Sequence, residues 1–212
     1  MSLASPPAQA RSRPTAYHHG DLRRALLDAA LAQPDLESLS LRQLAAATGV
    51  SPAAVYRHFD GREALLLALA SIGFERLHRR FVEAFDIERP PVDGAEARTR
   101  LQRLGQAYLA FAEEEPALWR LVFGTQAEGY RAAAVAAGRP STFDYLPATL
   151  LGLHRTGVVA QPPTSDDILF AWSAIHGAAA LRQGRIGLAQ QTTSGLVEAF
   201  AVRIVAALGA KG

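Results

Sequence analysis

The chain has 212 residues, 49% hydrophobic and 20% charged, a globular composition with length enough for one large domain or two smaller ones. It has no cysteine, which excludes disulfides, thiolate nucleophiles and cysteine-ligated zinc, and its formal net charge is only +2, so overall charge carries little weight. No apolar run approaches the roughly 20 residues of a bilayer-spanning helix, because Arg, Glu, His or Pro interrupts every helical stretch.

Residues 1–16, rich in Pro, Ala and Ser, read as a flexible basic tail; without an apolar segment they do not form a signal peptide, and a cytoplasmic location is expected. Arg11, Arg13, Arg23 and Arg24 face a single acid, Asp21, a local positive bias that suits phosphates and equally describes a solvated arginine-rich tail. Beyond the tail, apolar residues recur at helical spacing and no alternating β-branched run appears, so the fold is expected to be all-α with about nine helices.

A first helix over 21–33 places Leu22, Leu26, Ala29 and Ala30 on one face and ends at Pro34. Ser40-Leu41-Arg42-Gln43 has the form of a capping box that opens a second helix, with Leu41, Leu44, Ala45 and Thr48 inward. Gly49 stops it in the left-handed cap, Val50 plugs the turn, and Ser51-Pro52 opens a third helix over 52–59 at once. Asp60-Gly61-Arg62-Glu63 predicts an acidic N-cap for a fourth helix reaching about Phe85, on the order of 35 Å long and able to couple two domains. Residues 90–94 are a linker; helices follow over 95–115 and 116–123, a short alanine-rich one within 124–140, and three more over 143–156, 165–183 and 193–208.

Two short helices joined by a tight glycine turn and backed by a third are the geometry of a DNA-binding helix-turn-helix. On the third helix Val55 and Phe59 point inward, leaving Ala53, Ala54 and Arg57 on an outer face small enough to enter the major groove. Arg57, and Arg42 on the second helix, are candidate base readers. Tyr56 and His58 flank the reading face, while Ser40, Ser51 and Arg62 sit at helix N-termini, where amides and dipole favour a phosphate. An ordinary helical hairpin with solvated arginines has the same spacing.

Residues 39–59, LSLRQLAAATGVSPAAVYRHF, resemble the signature of the tetracycline-repressor family, with its Ser or Thr opener, Ala45, the Gly49-Val50-Ser51 turn, the Tyr56-x-His58-Phe59 end, and Arg62 and Leu65 beyond. Arg62 stands where lysine is usual. The resemblance covers about residues 17–70 and implies DNA contacts at the nine positions just named as readers and positioners. Tyr17-His18-His19-Gly20-Asp21-Leu22 is similar to the opening of one subgroup, whose C-terminal half carries Trp-x-x-x-His-Gly; Trp172, His176 and Gly177 match that motif. The implied organisation is a DNA-binding domain over 17–64, with reading unit 40–59, and an effector-binding and dimerisation domain over 65–212. The implied function is an operator-binding regulator, a repressor released by a small apolar or amphipathic effector.

Homodimerisation is expected through the last two helices, since a lone helix-turn-helix touches few bases. The penultimate helix carries a small stripe, Ser173, Gly177, Ala180 and Gly184, and the final one is apolar almost all round, contributing Leu196, Phe200 and Ile204. The family's pocket is expected among the aromatic residues between: Phe74, Phe81, Phe111, Phe123, Tyr145 and Trp172, with Trp119 and, as polar contributors, His78, Tyr108, His154 and His176. No cofactor or metal is expected. His176 with Ser173, Asp166 and Asp167 has the residue types of a hydrolytic triad but lacks the Gly-x-Ser-x-Gly turn, and His18, His19 and His154 make a poor metal set without cysteine. An architectural DNA binder without an effector is the remaining alternative, and a solid C-terminal core would favour it.

Overall fold

A computed structural model describes residues 19–136, 138, 141–184 and 191–209, so the tail expected over 1–16 lies outside them. The regular elements are α1 (His19–Leu31), α2 (Leu41–Thr48), α3 (Pro52–Tyr56), α4 (Arg62–Ala84), α5 (Gly94–Glu114), α6 (Pro116–Phe123), α7 (Ala127–Ala136), a 3-10 turn (Thr142–Asp144), α8 (Tyr145–Arg155), α9 (Ser165–Gln183) and α10 (Thr193–Ala207). The layout is all-α, with ten α-helices among the described residues where about nine were expected.

The N-terminal elements follow from local chemistry. The Ser40 side chain accepts from the Gln43 amide while the Gln43 side chain accepts from the Ser40 amide, closing the expected capping box. Gly49 ends α2 at φ 68, a conformation that costs a Cβ-bearing residue free energy, and the amides of Gly49 and Val50 return to Ala46 and Ala45. Ser51 then accepts from the Ala54 amide, with Pro52 inside the first turn of α3. The expected acidic cap of α4 is not formed: Gly61, not Asp60, is its N-cap, with no side-chain hydrogen bond. Two adjacent candidates competed, and the one free to take φ 155 won.

Leu26, Leu44, Val55, Phe59, Leu65 and Leu69 close the core of α1 to α4, and this core continues without a break through Phe74, Leu109, Phe111 and Leu121 to Ala178 and Val197. A second cluster, with Leu101, Leu150, Leu153, Val159, Ala171 and Ile204, fills the far end between α5, α8, α9 and α10. Helix α4 therefore serves both halves, and at 1.5 Å per residue its 23 residues span about 35 Å. It crosses α6 closely: a Cβ on Gly73 would lie 2.6 Å from Val122 Cγ1.

Polar ties hold the frame. Arg76 and Arg80 of α4 pair with Glu115 and Glu114 at the α5–α6 junction. Arg120 of α6 donates to the Pro34 carbonyl at 2.8 Å and to Gln183 at 3.2 Å, joining the loop after α1 to the end of α9. Buried Arg100 donates to Glu96 and to the carbonyls of Asp86 and Arg89, pinning the α4–α5 connection. The Glu96 carboxyl is held down at about 2 by the Val92 amide and by Arg100. No described helix is long and apolar enough to cross a membrane.

Candidate functional site

The reading head is built on a closed interior. Val55 is fully buried and Phe59 is 2% exposed, with the Arg23 guanidinium 4.7 Å above the Phe59 ring. The helix expected over 52–59 ends at Tyr56, and the surface that α3 and the following turn present opposite Val55 is open: Ala53, Tyr56 and Arg57 are exposed, Ala54 and His58 half-buried. Arg42 projects exposed from the first turn of α2, and Arg62 from the first turn of α4. The cations therefore surround a small-residue surface, an arrangement that fits a helix entering a groove between phosphate rows.

The two serine caps differ. The Ser40 hydroxyl donates to Gln43 Oε1 at 2.7 Å, so its proton is committed within the capping box. Ser51 accepts from Ala54 and retains its proton for an outside acceptor such as a phosphate oxygen.

A cavity of about 270 Å³ lies in the C-terminal half. It sits at the seam between the two hydrophobic clusters, where Leu146 and Phe200 touch both. Its walls are Phe81 of α4; Leu101, Leu104, Gly105 and Tyr108 of α5; Thr142 and Phe143 of the 3-10 turn; and Leu146 of α8. Helix α9 adds Ser165, Ile168, Leu169, Ala171, Trp172 and Ile175, and α10 adds Val197, Phe200, Ala201 and Ile204. Of the residues expected around a ligand, Phe81, Tyr108 and Trp172 line it. Phe74, Phe111, Trp119 and Tyr145 are buried in the adjoining core, with Phe123 partly buried against it. His78 packs edge-on to Tyr145 at 5.7 Å, and the Nδ1 atoms of His78 and His154 are buried without a partner. Sequence reasoning passed over the α5 and α10 walls because their Leu, Val and Ala residues carry no mark beyond being apolar.

His176 stands behind Tyr108. Trp119 Nε1 donates to the Tyr108 hydroxyl at 2.9 Å, and that hydroxyl is hydrogen-bonded to His176 Nδ1 at 2.8 Å. The imidazole is stacked between Trp119 and Trp172, at 4.9 and 5.5 Å. Burial lowers its pKa, which favours the neutral ring. Burial likewise raises the Tyr108 pKa. The triad types do not assemble here: His176 Nδ1 is bonded to Tyr108, and Asp167 is spent capping Thr164. No group of three or more His, Asp or Glu placed to hold a metal occurs among the described residues.

On the outside of α9, Ser173, Ala180 and Gly184 are exposed and Gly177 half-buried, with nothing within 4 Å of where a Gly177 Cβ would stand. Leu169, Phe170, Leu181 and, on α10, Val202 are large apolar side chains left in the open; Leu169 is 61% and Val202 63% exposed. Leu196 is half-buried, whereas Phe200 and Ile204 point to the cavity.

Comparison with known proteins agrees with this geometry. Residues 26–69 match the model described as "Bacterial regulatory proteins, tetR family", and residues 101–208, just over half the chain, match "Tetracyclin repressor-like, C-terminal domain". The fold is similar to a protein of unknown function from Rhodococcus sp. RHA1, at 32% identity and TM-score 0.70, covering 92% of this chain and 100% of that one. It is also similar to the TetR family transcriptional regulator PfmR from Thermus thermophilus, at 20% identity and TM-score 0.63, covering 88% and 99%. A curated relative, the nucleoid occlusion factor SlmA of Vibrio cholerae, is 30% identical over 104 residues, 49% of this chain; the chain spans about half the length of that relative. The helix-turn-helix, the helical bundle behind it and both family matches together place this chain in the tetR family of bacterial regulatory proteins, as a DNA-binding transcriptional regulator.

Proposed function

We propose that this regulator is a cytoplasmic repressor that binds a pseudo-palindromic operator as a homodimer and leaves it when a small apolar or amphipathic effector enters the cavity. The observation that carries the reading is the course of α4: Leu65 and Leu69 pack beneath the reading head, and Phe81 of the same helix lines the cavity. A ligand that shifts the Phe81 end moves the other end of a rigid rod, and with it the separation of two reading heads in a dimer. Operator release then requires a coupling of about 1 to 3 kcal/mol, a 5- to 150-fold loss of affinity.

The contact between subunits is assigned to α9 and α10, whose open apolar side chains and small stripe suit close packing of two helices on two. Bases are assigned to Arg42 and Arg57 with Ala53 and Ala54, and phosphates to Ser40, Ser51, Tyr56, His58 and Arg62. The functional division remains 17–64 for DNA and 65–212 for effector and dimer, although one core crosses it. An architectural binder without an effector is less well supported, because the C-terminal core is not solid. The test is selection of bound sequences from randomised duplex DNA, then titration of the preferred site with and without molecules that raise the melting temperature. Operator affinity should fall with such molecules; if every stabilising molecule leaves it unchanged, effector control is wrong.

A further inference from the structure

With the cavity read as the effector site and α9 as part of the subunit contact, we propose that a second copy of the chain closes the cavity. The partner's Leu181 lies over the mouth beside Leu169, so a ligand enters or leaves only when the subunit contact loosens there.

The wall of the cavity reaches solvent at one place. Among the described wall residues only Ser165 and Leu169 are exposed, one turn apart near the start of α9; every other one is buried or half-buried. Leu169 borders the void on one side and is 61% exposed on the other. A leucine placed between an apolar void and water gains free energy from an apolar cover. Phe170 and Leu181, also exposed on α9, carry the same apolar surface away from the mouth.

That face is shaped to receive a copy of itself. Phe170, Ser173, Gly177 and Ala180 follow at spacings of three and four, with Leu169 and Leu181 beside them; none is charged, and all are exposed except Gly177, which is half-buried. Such spacing lets two antiparallel helices stay in contact over several turns. A two-fold contact sets residue i against j and j against i. With the axis midway between Ser173 and Gly177, these small residues meet at the crossing, Phe170 falls against the partner's Ala180, and Leu169 against the partner's Leu181. Half a turn nearer the start of α9, the axis would set Leu181 against Ser165; half a turn nearer the end, it would carry Leu169 past Gln183, the last residue of the helix. Only the central register covers both leucines, and it puts one of them on the mouth.

The chain has no cysteine, so engineered pairs cross-link without background. In the full chain, Leu169→Cys with Leu181→Cys should oxidise to a covalent dimer. Neither single variant should, because the two copies of either position lie about 18 Å apart along the helices at 1.5 Å per residue, too far for a disulfide. Ser173→Cys with Gly177→Cys should lock the same dimer at its axis, away from the mouth. The probe is N-phenyl-1-naphthylamine, uncharged and fluorescent in apolar surroundings. The lock at the mouth should slow its exchange on the order of 10-fold relative to the lock at the axis, and reduction should restore it. Ala201→Phe or Ile168→Trp, which fill the cavity from α10 and α9, should abolish probe binding. If the Leu169–Leu181 pair does not cross-link in a chain that scatters light as a dimer, the pairing is wrong and the proposal is overturned. If both locks form and exchange the probe alike, the cavity and the α9 contact stand and the closure is overturned. A chain that stays monomeric takes down the dimer reading, and a probe that fails to bind, or binds undiminished to both filled chains, takes down the cavity reading; the proposal falls with either.

Discussion

The reading head and the cavity leave a binding surface on a folded chain in opposite ways. In the head the interior is shut, with Leu26, Leu44 and Val55 fully buried, and function is carried by side chains pointing out from a few turns of helix. In the cavity the interior itself is the surface: Leu104, Ala201 and Ile204 belong to core clusters and also form the wall. The head can thus be altered outside without cost to its fold, whereas changes to the cavity wall touch packing and binding together. The head's chemistry is also contiguous, within residues 40 to 62, while the cavity gathers side chains from Phe81 to Ile204.

The largest expected effect breaks the head from within. Phe59→Ala should cost about 3 to 5 kcal/mol, because a fully enclosed ring is removed from a small core, and operator binding should be lost with the fold. Phe200→Ala, at a half-buried ring already bordering a void, should cost clearly less. Urea denaturation of both variants checks this; equal losses would mean that the cavity wall is as tightly packed as the head.

On the outer surface, Arg42→Ala or Arg57→Ala should cost about 1 to 3 kcal/mol per half-site and relax base preference at one symmetric position. Arg62→Ala should weaken all sequences alike and lower the salt dependence by about one unit of slope per lost phosphate contact. Binding selections at two salt concentrations separate the sets, and retention of wild-type preference by both reader variants would shift specificity to Ala53, Ala54 and DNA shape.

Gly177→Leu should weaken the subunit contact by about 1 to 3 kcal/mol through overpacking. Within one subunit a Cβ at this position meets nothing within 4 Å, so helicity and monomer melting should survive. Light scattering across a dilution series reads the result, and an undisturbed dimer would put the interface elsewhere.

The smallest effect concerns the ring behind the cavity. Burial holds the folded His176 pKa below its ordinary 6.5, so the unfolded chain takes up the proton first as pH falls. The neutral ring's contribution is fully present above about 6.5, fades below that value, and stops changing once the folded ring protonates too. Melting temperature should therefore drop more between about pH 7 and 5 in the wild type than in His176→Gln. Parallel curves would show that the stacked imidazole is not titrating against its burial.

How much could be read beforehand tracks the range of the interactions. Ser40 with Gln43, Gly49 at its positive φ and Ser51 with Pro52 are decided within four residues, so spacing alone announced them. Even there the start of α4 shifted by one residue, because choosing between Asp60 and Gly61 depends on backbone conformation. Aromatic type was a poorer guide to the cavity. Phe111 and Trp119 are enclosed by neighbours and Tyr108 borders the void, although all three lie on apolar helix faces.

By itself the sequence determined the all-helical class, the caps at Ser40, Gly49 and Ser51 and the outward set of Arg42, Ala53, Ala54 and Arg57, since each follows from periodicity and hydrogen bonding inside one or two turns. Only the tertiary structure decided that two clusters fail to close between α5, α9 and α10, and that Phe200 and Ile204 face the gap. The physical reason is that a cap is satisfied by its own segment, whereas a void is a shortfall of volume among helices far apart in the chain.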